Sequence, residues 1–205
     1  MGLCLTLMRN GYLALSLPEM TLERLRRAQM VVSIAPARPF SRTEREAVKQ
    51  YVRGGGIFLC TVGYDRAGPS RDFLSELGFR VGAESWHGEE PIGEPEPLGH
   101  FKVPYFDGGD YEALVRFHAA WPVHCDDPNA WIVAHSLPRK PLIAIRRFGT
   151  GRIVVVGDTC FAMNKNLEHA SGEPFDGLRE NADFWRWLLT SLGEGEHWQP
   201  PKPGG

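Results

Sequence analysis

The stretch GTGRIVVVGDTCFAMNKNLE, residues 149–168, decides the fold that we predict for this chain. Gly149 and Gly151 both tolerate positive φ, so the backbone can reverse direction just before the valines. The run 153–156 is β-branched without polar alternation, which is typical of a strand covered on both faces. Polar residues follow at once, and ligands of open α/β sheets bind at the carboxyl ends of strands. The stretch therefore predicts a buried strand with a candidate site at its end.

The composition of the chain is that of an ordinary globular protein. It has 205 residues, 42% of them hydrophobic and 23% charged, which suits one sizeable domain. The net charge of −2 argues against nucleic acid as a partner, because phosphate binding usually needs a basic surplus. No apolar run has the length of a membrane span, and the first residues lack the basic start of a secretory signal. We expect a single domain over residues 1–194 and a disordered tail over 195–205.

The cysteines point to a reducing compartment. Cys4, Cys60, Cys125 and Cys160 form no CxxC pair and have no zinc-type spacing. Scattered, mostly buried thiols are typical of reduced proteins, with disulfides as the alternative. We therefore predict a cytoplasmic location, free thiols and no cysteine-held metal.

Strand and helix patterns alternate along the first eighty residues. Ser41 is a suitable N-cap, and Glu44 three residues later completes a capping box. Ser70 is predicted to cap a later helix that Gly78 ends. This alternation indicates βαβ units and a mostly parallel sheet. The predicted helices are 3–9, 21–28, Ser41 to Gly54 and Ser70 to Gly78, and the predicted strands are 12–17, 30–35 and 57–61.

The second half of the chain is less regular. Residues 83–110 carry glycine, proline and acidic residues without a hydrophobic period. We expect a long surface excursion with one edge strand near 101–103, and loops of that length tend to be functional or mobile. Later strands at 114–117, 131–134 and 142–146 predict a partly antiparallel section, and a helix over 178–192 completes the fold.

The order of three segments resembles a known superfamily. PFSRTEREAVKQYVRGGGIFLC, GTGRIVVVGDTCFAMNKNLE and ENADFWRWLL are similar to the class I glutamine amidotransferase-like superfamily. The resemblance, over residues 12–192, is to a branch near trehalose-utilisation-type proteins and auxiliary domains of gliding-motility ABC transporters. It implies an α/β, flavodoxin-like three-layer sandwich. It also implies a ligand-binding or accessory role without demonstrated enzyme activity or cofactor, with a transporter or ATPase component as the protein partner.

One expected part of that superfamily has no counterpart in this sequence. Such domains normally begin with a further strand and helix. In a flavodoxin-like order the missing strand would lie centrally, and each buried backbone group left unpaired would cost about 1–3 kcal/mol. We therefore expect either a different strand pairing that fills the gap or a shortened gene product.

Cys60 is the candidate nucleophile. It ends the predicted strand GIFLC, which is where amidotransferases place their cysteine, and the following turn could stabilise an oxyanion. The Gly-x-Gln continuation is absent, however, and the His-x-Glu of the superfamily corresponds here to Asp158-Thr159-Cys160. A thiol without a base stays mostly protonated at neutral pH. We therefore predict no catalytic residue, and a Cys60-dependent hydrolase or amidotransferase is the alternative.

The polar residues after the late strand are the candidate ligand site. Asp158 either anchors a small-molecule ligand or accepts hydrogen bonds from its own loop in an Asx turn. A calcium-like cluster with Asn166 and Glu168 is a further alternative, although the spacing matches no EF-hand loop. A third possible function is a structural module whose protein partner covers residues 83–110. The predicted ligand-binding residues are Cys60, Tyr64, Asp158, Thr159, Asn164, Asn166 and Glu168, and no metal is expected.

Overall fold

A computed structural model describes residues 2–84, 100–104, 112–117, 120–135, 140–162, 167, 171, 173 and 180–192. The chain divides into two compact units, Met1–Ser16 with Ala162–Gly205, and Leu17–Phe161. The predicted boundary at residue 194 and the tail lie outside the described residues. The elements in chain order are α1 (Gly2–Arg9), α2 (Leu22–Leu25), β1 (Met30–Ile34), α3 (Arg42–Arg53), β2 (Ile57–Thr61), a 3-10 turn (Tyr64–Arg66), α4 (Gly68–Glu76), β3 (Phe79–Val81), β4 (His100–Pro104), β5 (Glu112–Arg116), β6 (Val123–Cys125), β7 (Trp131–His135), β8 (Pro141–Phe148), β9 (Gly151–Val156) and α5 (Glu180–Leu192).

The larger unit is built on a five-stranded mixed sheet with the order β1-β2-β9-β8-β7. Strands β1, β2 and β9 are parallel, and β8 and β7 continue the sheet antiparallel. All five residues of β2 are buried, and so are Ile153 to Val156 of β9. The predicted α/β class, with a parallel centre and an antiparallel section, is confirmed.

The central strands β2 and β9 pair directly. Every residue of β2 pairs with a residue of β9, from Ile57 opposite Arg152 to Thr61 opposite Val156. The two strands are therefore direct neighbours, and no ladder between them is left open. The expectation of a missing first strand and helix stays a prediction.

Two short antiparallel pairs accompany the main sheet. Strand β3 pairs with β6, and β4 pairs with β5. The edge strand expected near 101–103 is thus one arm of a two-stranded sheet, because β5 provides its hydrogen-bonding partner. Residues 85–99 and 105–111, which make up most of the predicted excursion, lie outside the described residues.

The strand predicted over 12–17 is wrong. These residues form neither helix nor strand, and Leu13 and Leu15 are 76% and 78% exposed. A strand needs a hydrogen-bonded neighbour, and no described strand pairs with this segment. The alternating pattern was therefore not sufficient to form a strand. The helix before it, predicted over 3–9, ends at Arg9, and Gly11 just beyond it has φ +83°.

The predicted cap at Ser70 is also wrong. Helix α4 begins two residues earlier, at Gly68, and Pro69 lies in its first turn. Proline favours that position because its fixed φ suits a helix and the first turn needs no N–H donor. Ser70 is consequently inside the helix and only 1% exposed. The predicted apolar face of Phe73, Leu74 and Leu77 is buried.

Gly149, before β9, and Gly151, the first residue of β9, have different roles. Gly149 has φ +67° and makes the turn, as predicted. Gly151 lacks a positive φ, so the sequence interpretation was wrong there. A Cβ at Gly151 would lie 2.1 Å from the carbonyl oxygen of Val52 and 2.2 Å from that of Gly56. Gly151 is therefore required by the close approach of β9 to the end of α3.

Helix α3 has the capping box that the sequence predicts. The Ser41 hydroxyl accepts the N–H of Glu44 at 3.2 Å, and Oε2 of Glu44 accepts the N–H of Ser41 at 2.8 Å. Arg38 also donates two hydrogen bonds to the same carboxylate, at 2.7 and 2.8 Å. These contacts, with the Arg38 bond the largest cause, lower the pKa of Glu44 to about 2.

The Glu44→Gln variant is expected to lose about 1 kcal/mol of unfolding free energy at neutral pH. A lowered folded-state pKa contributes stability above the ordinary value of 4.5, and this is lost as pH falls toward about 2. The stability difference from the wild type should therefore shrink between those two pH values. Urea unfolding across this range measures it, with Glu23→Gln in exposed α2 as control. If the stability difference between Glu44→Gln and the wild type stays the same at low pH, the lowered pKa of Glu44 is contradicted.

The smaller unit contains α1 and α5. The Tyr12 hydroxyl donates to the carbonyl of Leu189 at 3.3 Å. Phe184 and Trp187 have ring centroids 5.6 Å apart, and both side chains are buried. The helix predicted over 178–192 is confirmed over Glu180–Leu192. Among the helices that the structure describes, none combines the length and the apolarity needed to cross a bilayer.

Candidate functional site at the carboxyl edge of the sheet

Strands β1, β2 and β9 end together at what we call the carboxyl edge. Ile34, Thr61 and Val156 are aligned by the parallel register. Beyond the strands, the N–H of Gly63 donates to Oγ1 of Thr159 at 2.8 Å. The exits of β2 and β9 are thereby joined, so the segments containing Cys60, Tyr64, Asp158 and Thr159 lie at one edge.

Cys60 lies at this edge without access to solvent. Its exposure is 1%, and burial raises the pKa of its thiol to about 12, which the nearby Ser70 and Ser33 hydroxyls oppose only in part. The thiolate is the reactive form of cysteine. In this environment Cys60 is protonated at neutral pH, the opposite of what a nucleophile requires.

The cysteines agree only in part with the prediction of reduced, mostly buried thiols. None of the four cysteines, all of them described residues, forms a disulfide. Only Cys60 is fully buried, while Cys125 and Cys160 are half-buried and Cys4 is exposed. The expectation that most of them are buried was therefore wrong, because β6 and the loop after β9 carry their cysteines toward the surface.

Asp158 is buried, with 1% exposure. Its Oδ1 accepts the N–H of Cys160 at 2.8 Å. This is the Asx-turn geometry in which a carboxylate holds the backbone two residues later. The side chain therefore shapes the loop that presents Thr159 to Gly63, and this structural role is one of the two that the sequence left open.

Asn164, Asn166 and Glu168 lie outside the described residues, so the calcium-like cluster stays an untested alternative. Within the part of the chain that is described, no group of three or more His, Cys, Asp or Glu side chains could hold a metal ion.

Two aromatic rings contribute accessible surface at the carboxyl edge. Tyr64, 38% exposed, and half-buried Trp121 have ring centroids 5.9 Å apart. The guanidinium of Arg71 lies 5.7 Å from the Tyr64 ring centroid, within the range of a cation–π contact. The N–H of Trp121 donates to the carbonyl of Gly157 at 2.8 Å, which fixes the tryptophan to the end of β9.

Gly63 allows this arrangement. A Cβ there would lie 2.6 Å from both Nε1 of Trp121 and Oδ1 of Asp65. The indole can therefore contact the backbone of the β2 exit only because position 63 has no side chain. Sequence reasoning missed Trp121 and Arg71 as site residues. Trp121 is not part of a helix or strand pattern that would indicate its position. Arg71 has the pattern of an ordinary solvent-exposed position on a helix.

No family model matches this chain, and no curated protein matches it. Several solved structures, however, are similar to this chain. The mmIFT52 N-terminal domain has a TM-score of 0.68 at 19% identity, covering 94% of this chain and 89% of that one. Cytoplasmic Protein STM1381 from Salmonella typhimurium LT2 has a TM-score of 0.63 at 13% identity, covering 95% and 88%.

A ThuA-like protein from Bacteroides uniformis is also similar, with a TM-score of 0.54 at 13% identity, covering 90% of this chain and 80% of that one. Likeness at these identities shows the fold alone. The chain therefore shares its architecture with this ThuA-like protein, which agrees with the expected trehalose-utilisation-type fold.

Proposed function

We propose that this protein is a non-catalytic ligand-binding or accessory domain whose binding surface is the carboxyl edge. The observation that carries the proposal is the Gly63–Thr159 hydrogen bond of 2.8 Å. It joins the exits of two parallel strands beneath the Tyr64–Trp121 pair. Ligands of open α/β sheets bind at such an edge, and aromatic rings with one accessible face favour ring-shaped or apolar ligands.

The chemistry of the edge supports binding over catalysis. The Cys60 thiol is buried and protonated, and the Asp158 carboxylate holds its own loop. Nucleophilic catalysis needs an accessible nucleophile within hydrogen-bonding reach of a base. The hydrogen bonds that act on the Cys60 thiol come from the Ser70 and Ser33 hydroxyls, and neither hydroxyl is a base at neutral pH.

The finer fold assignment belongs to the same proposal. A flavodoxin-like three-layer sandwich of the glutamine amidotransferase-like superfamily is supported by the parallel β1-α3-β2 unit and by the position of Cys60 one residue before the end of β2. Association with a transporter or ATPase component rests on the sequence resemblance alone. Partner capture should therefore be tested only after a ligand has been found.

A thermal-shift screen with sugars, nucleotides and divalent cations tests the binding surface. We expect at least one compound to raise the melting temperature of the wild type. The Tyr64→Ser variant should bind this compound about two- to tenfold more weakly, because an aromatic contact contributes about 0.5–1.5 kcal/mol. Trp131→Ser, which removes an exposed aromatic residue of β7, is the matched control.

Two results would count against the carboxyl edge. The first is a library in which no compound shifts the wild type. The second is a compound whose affinity falls equally in Tyr64→Ser and Trp131→Ser, since that would place the binding surface elsewhere.

A further inference from the structure

A concave site lies between α4 and β3. Its volume is about 340 Å³, which is within the range of small-molecule pockets. Half-buried Val81 gives the cavity an accessible apolar wall, and the buried side chains of Leu74 and Phe79 lie behind its lining. All of the lining residues are described ones. A small apolar group is therefore the part of a ligand that this wall accommodates.

The rim of the cavity carries two arginines, Arg71 from α4 and Arg80 from β3. Both are exposed, and neither forms an ion pair within the described part of the chain. Arg45 and Arg146, by contrast, form ion pairs with Glu76 and Asp126 at 2.8 and 2.9 Å. The rim arginines are thus available to an outside anion.

One acidic residue, Asp72, also lines the cavity, so the lining has a net charge of +1 from two arginines and one aspartate. Arg71 is held on one side by its contact with the Tyr64 ring. Guanidinium groups bind carboxylate, sulfonate and phosphate through paired N–H donors. The charge and the donors on the rim therefore match a single anionic group.

We propose that the α4–β3 cavity binds a small organic anion, with its charged group on Arg71 and Arg80 and its apolar body against Val81. This site goes beyond the proposed carboxyl-edge surface and shares only Arg71 with the residues of that surface. Arg80 and Ser75 belong to the cavity alone, so their substitution separates the two proposals.

The probes are anilinonaphthalene sulfonate and its uncharged analogue N-phenylnaphthylamine, followed by fluorescence titration of the whole protein. We expect saturable binding of the sulfonate. Arg80→Gln should weaken it about two- to fivefold, the range for an exposed ion pair, and should leave the uncharged analogue unchanged. Added salt should weaken only the sulfonate, because it screens exposed charges. Arg147→Gln, an exposed arginine of β8, is the matched control.

The Ser75→Trp variant tests the location independently of charge. Ser75 is exposed on α4, so a tryptophan there should fold normally and fill the cavity, and both probes should bind more weakly. Arg80→Gln and Ser75→Trp, which lie in the cavity alone, should leave unchanged the affinity of any compound that binds at the carboxyl edge. The proposal is overturned if the wild type binds no sulfonate, or if Arg80→Gln and Ser75→Trp bind it like the wild type.

Discussion

Replacing Gly157 by alanine is expected to destabilise the larger unit by at least about 3 kcal/mol. A Cβ at this position would lie 1.9 Å from the carbonyl oxygen of Trp121. That carbonyl cannot retreat easily, because Trp121 donates its own N–H to Gly157 at 2.8 Å. The N–H of Gly157 also donates to Leu142 at 2.9 Å, so position 157 is held on both sides.

Urea unfolding of Gly157→Ala, followed by circular dichroism, measures the loss. Gly68→Ala is the matched control, since a Cβ there meets nothing within 4 Å and α4 begins at this residue. The control should change the unfolding free energy by no more than about 0.5 kcal/mol, or raise it slightly. Equal stabilities of the two variants would show that the β9 exit and the Trp121 segment are not in contact.

Iodoacetamide is expected to alkylate Cys60 about a thousandfold more slowly in the folded protein than in the urea-unfolded protein. The rate follows the thiolate fraction, and a free thiol has a pKa of about 8.5, whereas burial raises the pKa of Cys60 to about 12. Below pH 9 the folded protein therefore holds almost no Cys60 thiolate. Its lack of solvent exposure slows the reaction further.

Mass spectrometry of the peptides at pH 8 measures the labelling of each cysteine separately. Cys4, which is exposed, is the internal control for reagent and time. Fast labelling of Cys60 in the folded protein would contradict the buried, protonated thiol. It would also restore the Cys60-dependent hydrolase or amidotransferase as the leading hypothesis.

The sequence predicted a helix or strand well wherever residues close to one another in the chain determine that element. The capping box of Ser41 and Glu44, the helix that it begins and the buried strands β2 and β9 depend on residues close in sequence. The segment 12–17 shows the limit of this reasoning. Its alternation satisfies the strand pattern, but a strand also requires a neighbour that lies far away in the sequence.

The candidate site also contains some residues that the sequence predicted and others that only the structure revealed. The polar residues after β9 were predicted, and Asp158 and Thr159 lie at the expected edge. Trp121 was missed because its contact with Tyr64 spans a long sequence separation. Arg71 is close to Tyr64 in sequence, but its contact with that ring depends on how α4 packs against the 3-10 turn before it. Asn164, Asn166 and Glu168 stay predictions.

The sequence by itself determined that the chain is α/β and where its central strands and capped helix lie, because periodicity and capping act over a few residues. Only the tertiary structure decided that β2 pairs directly with β9, so that no gap lies between these two strands. It also decided that Cys60 is buried while Tyr64 is accessible. Pairing partners and solvent exposure depend on which distant segments meet, and no local pattern of residues contains that information.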